Sequence, residues 1–125
     1  MSGHDLNKKI LIVDDNQELV RALQLLLKNY NLILAENGKQ AVEIAFTLQP
    51  DLILMDILMP EIDGLQATRM IRQNPQTRSI PILAITAGVS IGIEEECSKS
   101  GCDDFIAKPF TIEQLASRIE NLLPQ

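Results

Sequence analysis

Four short apolar runs in this chain each stop at a residue equipped for chemistry. Ile10-Leu11-Ile12-Val13 stops at Asp14-Asp15, and Leu52-Ile53-Leu54-Met55 stops at Asp56. Ile82-Leu83-Ala84-Ile85 stops at Thr86, and Phe105-Ile106-Ala107 stops at Lys108. Carboxylates gathered in one cleft repel one another, which raises a pKa or loosens the fold. A hard divalent cation removes that repulsion. Oxygen donors alone, few in number, suit Mg²⁺ better than a Ca²⁺ cage or a Zn²⁺ tetrahedron. A cation, an ammonium group and a hydroxyl around one Asp would stabilise an anion forming there, as phosphoryl transfer requires. An Asp can also accept a phosphoryl group itself, as an acyl phosphate. Asp56, ending the middle run, is the natural acceptor. Asp14 and Asp15 are better placed to bind metal.

Each residue also has an ordinary structural reading. An Asp after a strand commonly forms a turn or caps a helix. Asp15 with Glu18 reads as a capping pair, Thr86 as a strand end, and Lys108 as a surface lysine before a proline turn. The joint pattern favours the chemical reading, because all of these positions fall at the ends of apolar runs.

The runs themselves read as strands buried on both faces, the pattern of a parallel sheet. A further run, Leu32-Ile33-Leu34-Ala35, ends at Glu36-Asn37-Gly38. Amphipathic stretches lie between the runs. The first spans Gln17 to Asn29, with Leu19, Leu23, Leu26 and Leu27 on one face. The second follows Asn37-Gly38, carries Ala41, Val42, Ala45 and Phe46 in one stripe, and stops at Pro50. The third begins near Asp63, with Gln66 completing a capping box, and ends before Asn74-Pro75. The fourth runs from near Ser90 to a C-terminal Gly101. The fifth starts at Thr111 with Gln114 as reciprocal cap and turns Leu115, Ile119 and Leu122 inward. Alternating strands and helices imply a doubly wound α/β domain with a five-stranded parallel sheet and right-handed crossovers. Working sites in such folds lie beyond the carboxyl ends of the strands. Asp14, Asp15, Asp56, Thr86 and Lys108 are therefore expected at one edge.

Composition narrows the function classes. The chain has 125 residues, a formal net charge of −6, 3% aromatic residues and no Trp. One domain fits that length, with 1–8 as an N-terminal tail and no output domain. The charge repels a phosphate backbone, and a base-stacking platform is hard to build without aromatics. His4 is the single histidine, in a polar N-terminal stretch, which argues against an imidazole-based site. Cys97 and Cys102 are too few for a disulfide scaffold and read as small, partly buried thiols of a reducing compartment. No apolar run approaches the roughly 20 residues of a membrane span, and no signal peptide is evident. A cytoplasmic location is expected.

Four segments resemble the receiver domains of two-component response regulators. They are Ile10 to Asn16, Asp51 to Gly64, Ile85-Thr86-Ala87, and Asp103 to Phe110, and the similarity covers Lys9 to Leu123. The resemblance implies a flavodoxin-like (βα)5 fold with strand order 2-1-3-4-5. It implies that Asp56 is the phosphoacceptor in a His-Asp phosphorelay. Mg²⁺ would be held by Asp15 directly, by Asp14 largely through water, by Asp56, and by the Leu58 backbone carbonyl. Lys108 would pair with the phosphoryl group, and its bond to Pro109 would be cis. Thr86 would be the switch hydroxyl, the Ala87 amide a further donor, and Phe105 the switch aromatic. Gly64 matches the glycine that closes the loop after Asp56.

The implied protein is a signalling phosphoacceptor that catalyses only its own phosphorylation and dephosphorylation. Its donor would be a histidine kinase or histidine-phosphotransfer protein, docking near the first helix and the loop after Lys108. Its effector would bind the fourth helix, fifth strand and fifth helix. The chain is either a stand-alone receiver or one cut from a hybrid kinase. Phe105 stands where many members carry Tyr, so its switch rests on packing. Leu58 and Gly88 lack the polar side chains that can steer an attacking water, so a persistent phosphoryl group is expected. Asp104 and Arg118 match an ion pair used in dimers of one DNA-binding subfamily, but Gln114 and Glu120 break that charge set, which favours a monomer when unphosphorylated. The alternative is a receiver-shaped interaction module that is never phosphorylated; such modules lack one of the key residues, and all are present here. A phosphatase would need a second acid where Ile57 and Leu58 follow the acceptor. A nucleotide binder would need a Gly-rich loop, which is absent.

Overall fold

A computed structural model describes residues 7–57, 63–87 and 92–124. Five strands alternate with five helices: β1 (Lys9–Val13), α1 (Gln17–Leu26), β2 (Asn31–Ala35), α2 (Gly38–Leu48), β3 (Leu52–Asp56), α3 (Gly64–Gln73), β4 (Ile82–Thr86), α4 (Ile93–Ser100), β5 (Asp104–Ala107) and α5 (Ile112–Leu122). The sheet is parallel throughout, in the order β2-β1-β3-β4-β5. This is the expected doubly wound (βα)5 arrangement.

Side chains alternate across the sheet, so each central strand feeds two cores. Leu11, Val13, Ile53 and Met55 pack with Ala41 and Ala45 of α2 and with Ala67 and Ile71 of α3. Ile10, Ile12, Leu52, Leu54, Leu83 and Ile85 pack with Leu23 and Leu27 and with Leu115 and Ile119 of α5. A third cluster joins Ile57, Ala84 and Cys97, with Ile93 and Phe105 packed against it. Residues of β1, β3 and β4 after Lys9 are buried on both faces, as their apolar runs require.

The edges depart from expectation. β2 pairs only with β1 in the sheet, and Leu34 is 43% exposed. Leu26 of α1 and Phe46 of α2 point outward, 40% and 46% exposed, although both fit the apolar stripes by spacing. Each lies one helical step beyond the rows that reach the sheet, Leu23 with Leu27 and Ala41 with Ala45. α1 ends at Leu26 rather than Asn29, because the chain must turn through Leu27 to enter β2 at Asn31.

Helix ends follow local chemistry. Asn37 and Asp63 cap α2 and α3 by accepting the amides of Gln40 and Gln66. Thr111 and Gln114 form the full reciprocal box at α5. α4 is described from Ile93, with Gly92 before it; the expected start at Ser90 lies outside the described residues. Gly101 ends α4 at φ 109°, a left-handed value suited to glycine. Among the described residues, no helix is long and apolar enough to cross a membrane.

Candidate functional site

Strand register brings the chemical residues together. Val13 lies opposite Met55, so Asp14 and Asp56 leave adjacent strands at the same level. Asp56 lies opposite Ile85, and Thr86 opposite Ala107, so Thr86 and Lys108 follow along the same edge. Carboxylate oxygens of Asp14, Asp15 and Asp56 all lie within 4.8 Å of one another. Asp14 and Asp56 are 3% and 5% exposed, while Asp15 faces solvent.

Asp14 is held firmly on one side and left open on the other. Its backbone amide donates to the Ala35 carbonyl at 3.1 Å. Its Oδ1 accepts the Asn16 amide at 2.8 Å. Its buried Oδ2 accepts no hydrogen bond among the described residues, and Lys108 Nζ stands 3.8 Å away. That separation is too long for a hydrogen bond and leaves an ion pair at a distance. A buried carboxylate oxygen without a donor is costly unless a charge compensates it. Asp14 together with the Asp15 and Asp56 carboxylates fits a small divalent cation held by oxygen.

Asn16 is a residue the sequence reading passed over. Its side chain accepts the amides of Glu18 and Leu19 and caps α1. Asp15 is therefore not the cap, and the ordinary reading of Asp15 with Glu18 as a capping pair is displaced. The signal was available, since Asn is as good an N-cap as Asp.

Thr86 ends β4, is 1% exposed, and accepts the Lys108 amide on its backbone carbonyl at 2.8 Å. That bond ties the Lys108 backbone to the site edge. The Lys108–Pro109 peptide is cis, as expected. Ala87 is exposed beside Thr86. Phe105 is half-buried on β5 and packs against the cluster of Ile57, Ala84 and Cys97. The Leu58 carbonyl, expected as a metal ligand, and Gly88 lie outside the described residues.

Gly64 comes close beneath Asp56. Its amide donates to the Ile57 carbonyl at 3.3 Å. A Cβ here would collide with the Asp56 carbonyl oxygen and meet the Ile57 Cα at 2.6 Å. Only glycine lets α3 start this near the end of β3.

The family model of the response regulator receiver domain matches residues 10–120. The chain belongs to that family. As a receiver domain, it is a signalling protein of two-component systems. Among relatives, the polar-differentiation response regulator DivK of Brucella anthropi is 35% identical over 118 residues, spanning 93% of this chain and 96% of that protein. A solved structure from Chloroflexus aurantiacus J-10-fl, described as a response regulator, superposes with a TM-score of 0.89 at 33% identity, covering 94% of this chain and 98% of that one. The receiver domain of the sensor histidine kinase PA1611 from Pseudomonas aeruginosa PAO1 is 36% identical with a TM-score of 0.85, over 92% of this receiver and 96% of that chain. That structure carries a magnesium ion coordinated in its active-site cleft.

Beside the receiver's carboxylates lies a shallow apolar groove. Leu19, Ala22 and Leu26 of α1 form one wall, and Pro109, Phe110 and Ile112 form the other. Lys108 stands at its end.

Proposed function

We propose that Asp56 is the phosphoacceptor of this receiver and that a phosphohistidine is its donor. The observation that carries this reading is the convergence of Asp14, Asp15 and Asp56, one oxygen of each within 4.8 Å of the others, with Asp14 Oδ2 buried and without a hydrogen-bond donor among the described residues. Asp14, Asp15 and Asp56 would hold Mg²⁺, with the Leu58 carbonyl as a further ligand. When bound, Mg²⁺ supplies positive charge that offsets the carboxylates and the phosphoryl oxygens.

An Asp56 carboxylate oxygen attacks phosphorus, the P–N bond to the donor imidazole breaks, and the imidazole leaves with a proton. Lys108 brings an ammonium group to the transferring oxygens. The Thr86 hydroxyl and the Ala87 amide donate hydrogen bonds to them. The Lys108 ammonium and the Ala87 amide are aimed at developing charge, and the Thr86 hydroxyl completes the set by moving toward it. The receiver thus catalyses its own phosphorylation and, with water as nucleophile, its own dephosphorylation.

The apolar groove between α1 and Phe110 supports docking of a histidine kinase or histidine-phosphotransfer protein there, beside Lys108. Such a donor presents its phosphohistidine in the cytoplasm, where this receiver would work. Thr86 and Phe105 link the phosphoryl group to the face formed by α4, β5 and α5. Movement of Thr86 toward the phosphoryl oxygens opens space for the Phe105 ring to turn inward. Phe105 has no hydroxyl, so that change is read through packing. The effector binds this face.

Beryllofluoride, an analogue of the phosphoryl group, tests the site without a partner. Fluorine NMR is expected to show a bound species that needs both Mg²⁺ and an intact Asp56. Bound beryllofluoride in Asp56→Asn would overturn the assignment.

A further inference from the structure

Cys97 and Cys102 serve neither the carboxylate site nor the apolar groove. Both thiols are free, Cys97 buried and Cys102 partly exposed. The chain folds back on itself at the end of α4. The Cys102 amide donates to the Cys97 carbonyl at 2.9 Å, and the Gly101 amide donates to the Ser98 carbonyl at 3.1 Å. Together with the left-handed Gly101, these bonds make a Schellman turn. Such a turn brings the residue after the glycine against a residue in the last helical turn, usually as an apolar contact. Here both contact residues are cysteines: Cys97 lies in the buried cluster with Ile57 and Ala84, Cys102 packs against that cluster, and the Cys102 thiol donates to the Thr68 hydroxyl at 3.9 Å.

The turn is braced from outside. Arg72 Nε donates to the Gly101 carbonyl at 2.8 Å, and a Cβ at Gly101 would meet Arg72 Cγ at 2.6 Å. The backbone therefore holds the two cysteines side by side in the reduced protein.

We propose that Cys97 and Cys102 form a dithiol that hydrogen peroxide oxidises to an intrachain disulfide across the C-terminal turn of α4. The Cys102 sulfur, the more accessible, attacks the peroxide. An S–O bond forms, the O–O bond breaks, and one water leaves. The Cys97 sulfur then attacks the resulting sulfenic acid, the S–S bond forms, and a second water leaves. Two thiols give up two electrons and two protons, and one peroxide becomes two waters. Burial pushes the Cys97 thiol up and the Cys102 thiol up to about 12. Thiolate is therefore scarce at neutral pH, and the pair responds to sustained oxidant rather than to a brief pulse. The link ties the last turn of α4 to the start of β5, in the cluster where Phe105 and Ala84 pack.

The test is intact mass after peroxide, followed by alkylation of remaining thiols. Lys99 lies between the two cysteines, so trypsin leaves peptides 79–99 and 100–118 joined only by the disulfide. The expected product is a monomer two hydrogens lighter, with no alkylatable thiol and a linked peptide pair that reduction separates. Cys97→Ser and Cys102→Ser are each expected to give no linked pair. Thiols that stay alkylatable in the folded protein, after an exposure that oxidises the urea-unfolded chain, would overturn the proposal. So would oxygen added to single sulfurs without a link, or a link between two chains. The readout does not involve Asp56, so it stands apart from the phosphoryl chemistry.

Discussion

Lys108 Nζ stands 3.8 Å from Asp14 Oδ2. The other oxygen of the same carboxylate is committed to the Asn16 amide. Lys108 therefore compensates Asp14 by charge without spending a hydrogen bond on it. Among the described residues, the buried Asp14 oxygen keeps its lone pairs. One geometry accommodates both a cation at Asp14 and an anion at Lys108.

Removing the metal should weaken the fold, and neutralising one carboxylate should partly repair it. Mg²⁺ at a hundred times its dissociation constant is expected to add about 2.7 kcal/mol to unfolding free energy in urea. Asp15→Asn should lose most of that gain. Without metal, the same variant should be more stable than the parent, because one repelling charge is gone. A parent protein whose urea midpoint ignores Mg²⁺ would contradict the metal reading.

Gly64→Ala should damage both fold and site. Its methyl group collides with the Asp56 carbonyl and crowds the Ile57 Cα, and neither is a side chain that can swing away. The expected cost is roughly 1–3 kcal/mol in urea unfolding, with a fall in phosphorylation yield as the end of β3 is displaced. A change within about 0.5 kcal/mol, the range of neutral surface substitutions, would show that α3 can retreat.

Alkaline pH should separate Cys102 from its serine variant. Burial raises this thiol from 9.0 to about 12. Above pH 9 the unfolded chain loses this proton while the folded chain keeps it. The stability linked to Cys102 is therefore complete below pH 9 and falls as pH rises from there through 12. Unfolding in urea at successive pH values should show a steeper alkaline decline for the parent than for Cys102→Ser. Parallel curves would mean that the thiol ionises alike in both states.

The sheet was largely legible before the structure, and for a physical reason. β1, β3 and β4 lie between neighbours and between helices, so their apolar runs are nearly unbroken and stop where the buried zone stops. Asp14, Asp56 and Thr86 could be placed at one edge from those endings alone. Leu34, Leu26 and Phe46 were misplaced because spacing identifies a stripe but not how far a neighbouring layer extends. Arg72 was invisible for a different reason. It donates to the carbonyls of Arg78, Ile80 and Gly101 and to the Asp103 carboxylate, fastening α3 to β4 and to the end of α4. Those partners lie up to 31 positions away, and nothing in local pattern joins them. The closeness of Cys97 and Cys102 also depended on a left-handed turn at Gly101 that spacing alone does not reveal.

Phosphoryl lifetime should respond to Leu58. An apolar side chain two positions after the acceptor gives a water molecule nothing to hold. Leu58→Asn is expected to speed loss of the phosphoryl group severalfold, read by intact mass at intervals after the donor is removed. Unchanged decay would show that water is positioned by other groups.

The most direct measurement is intact mass after incubation with a small-molecule phosphodonor and Mg²⁺, beside an Asp56→Asn control. The structure predicts one added phosphoryl group on the parent, none without Mg²⁺, and none on the variant. A phosphoryl group that persists on Asp56→Asn would contradict the account. So would a parent protein that takes up neither phosphoryl nor beryllofluoride.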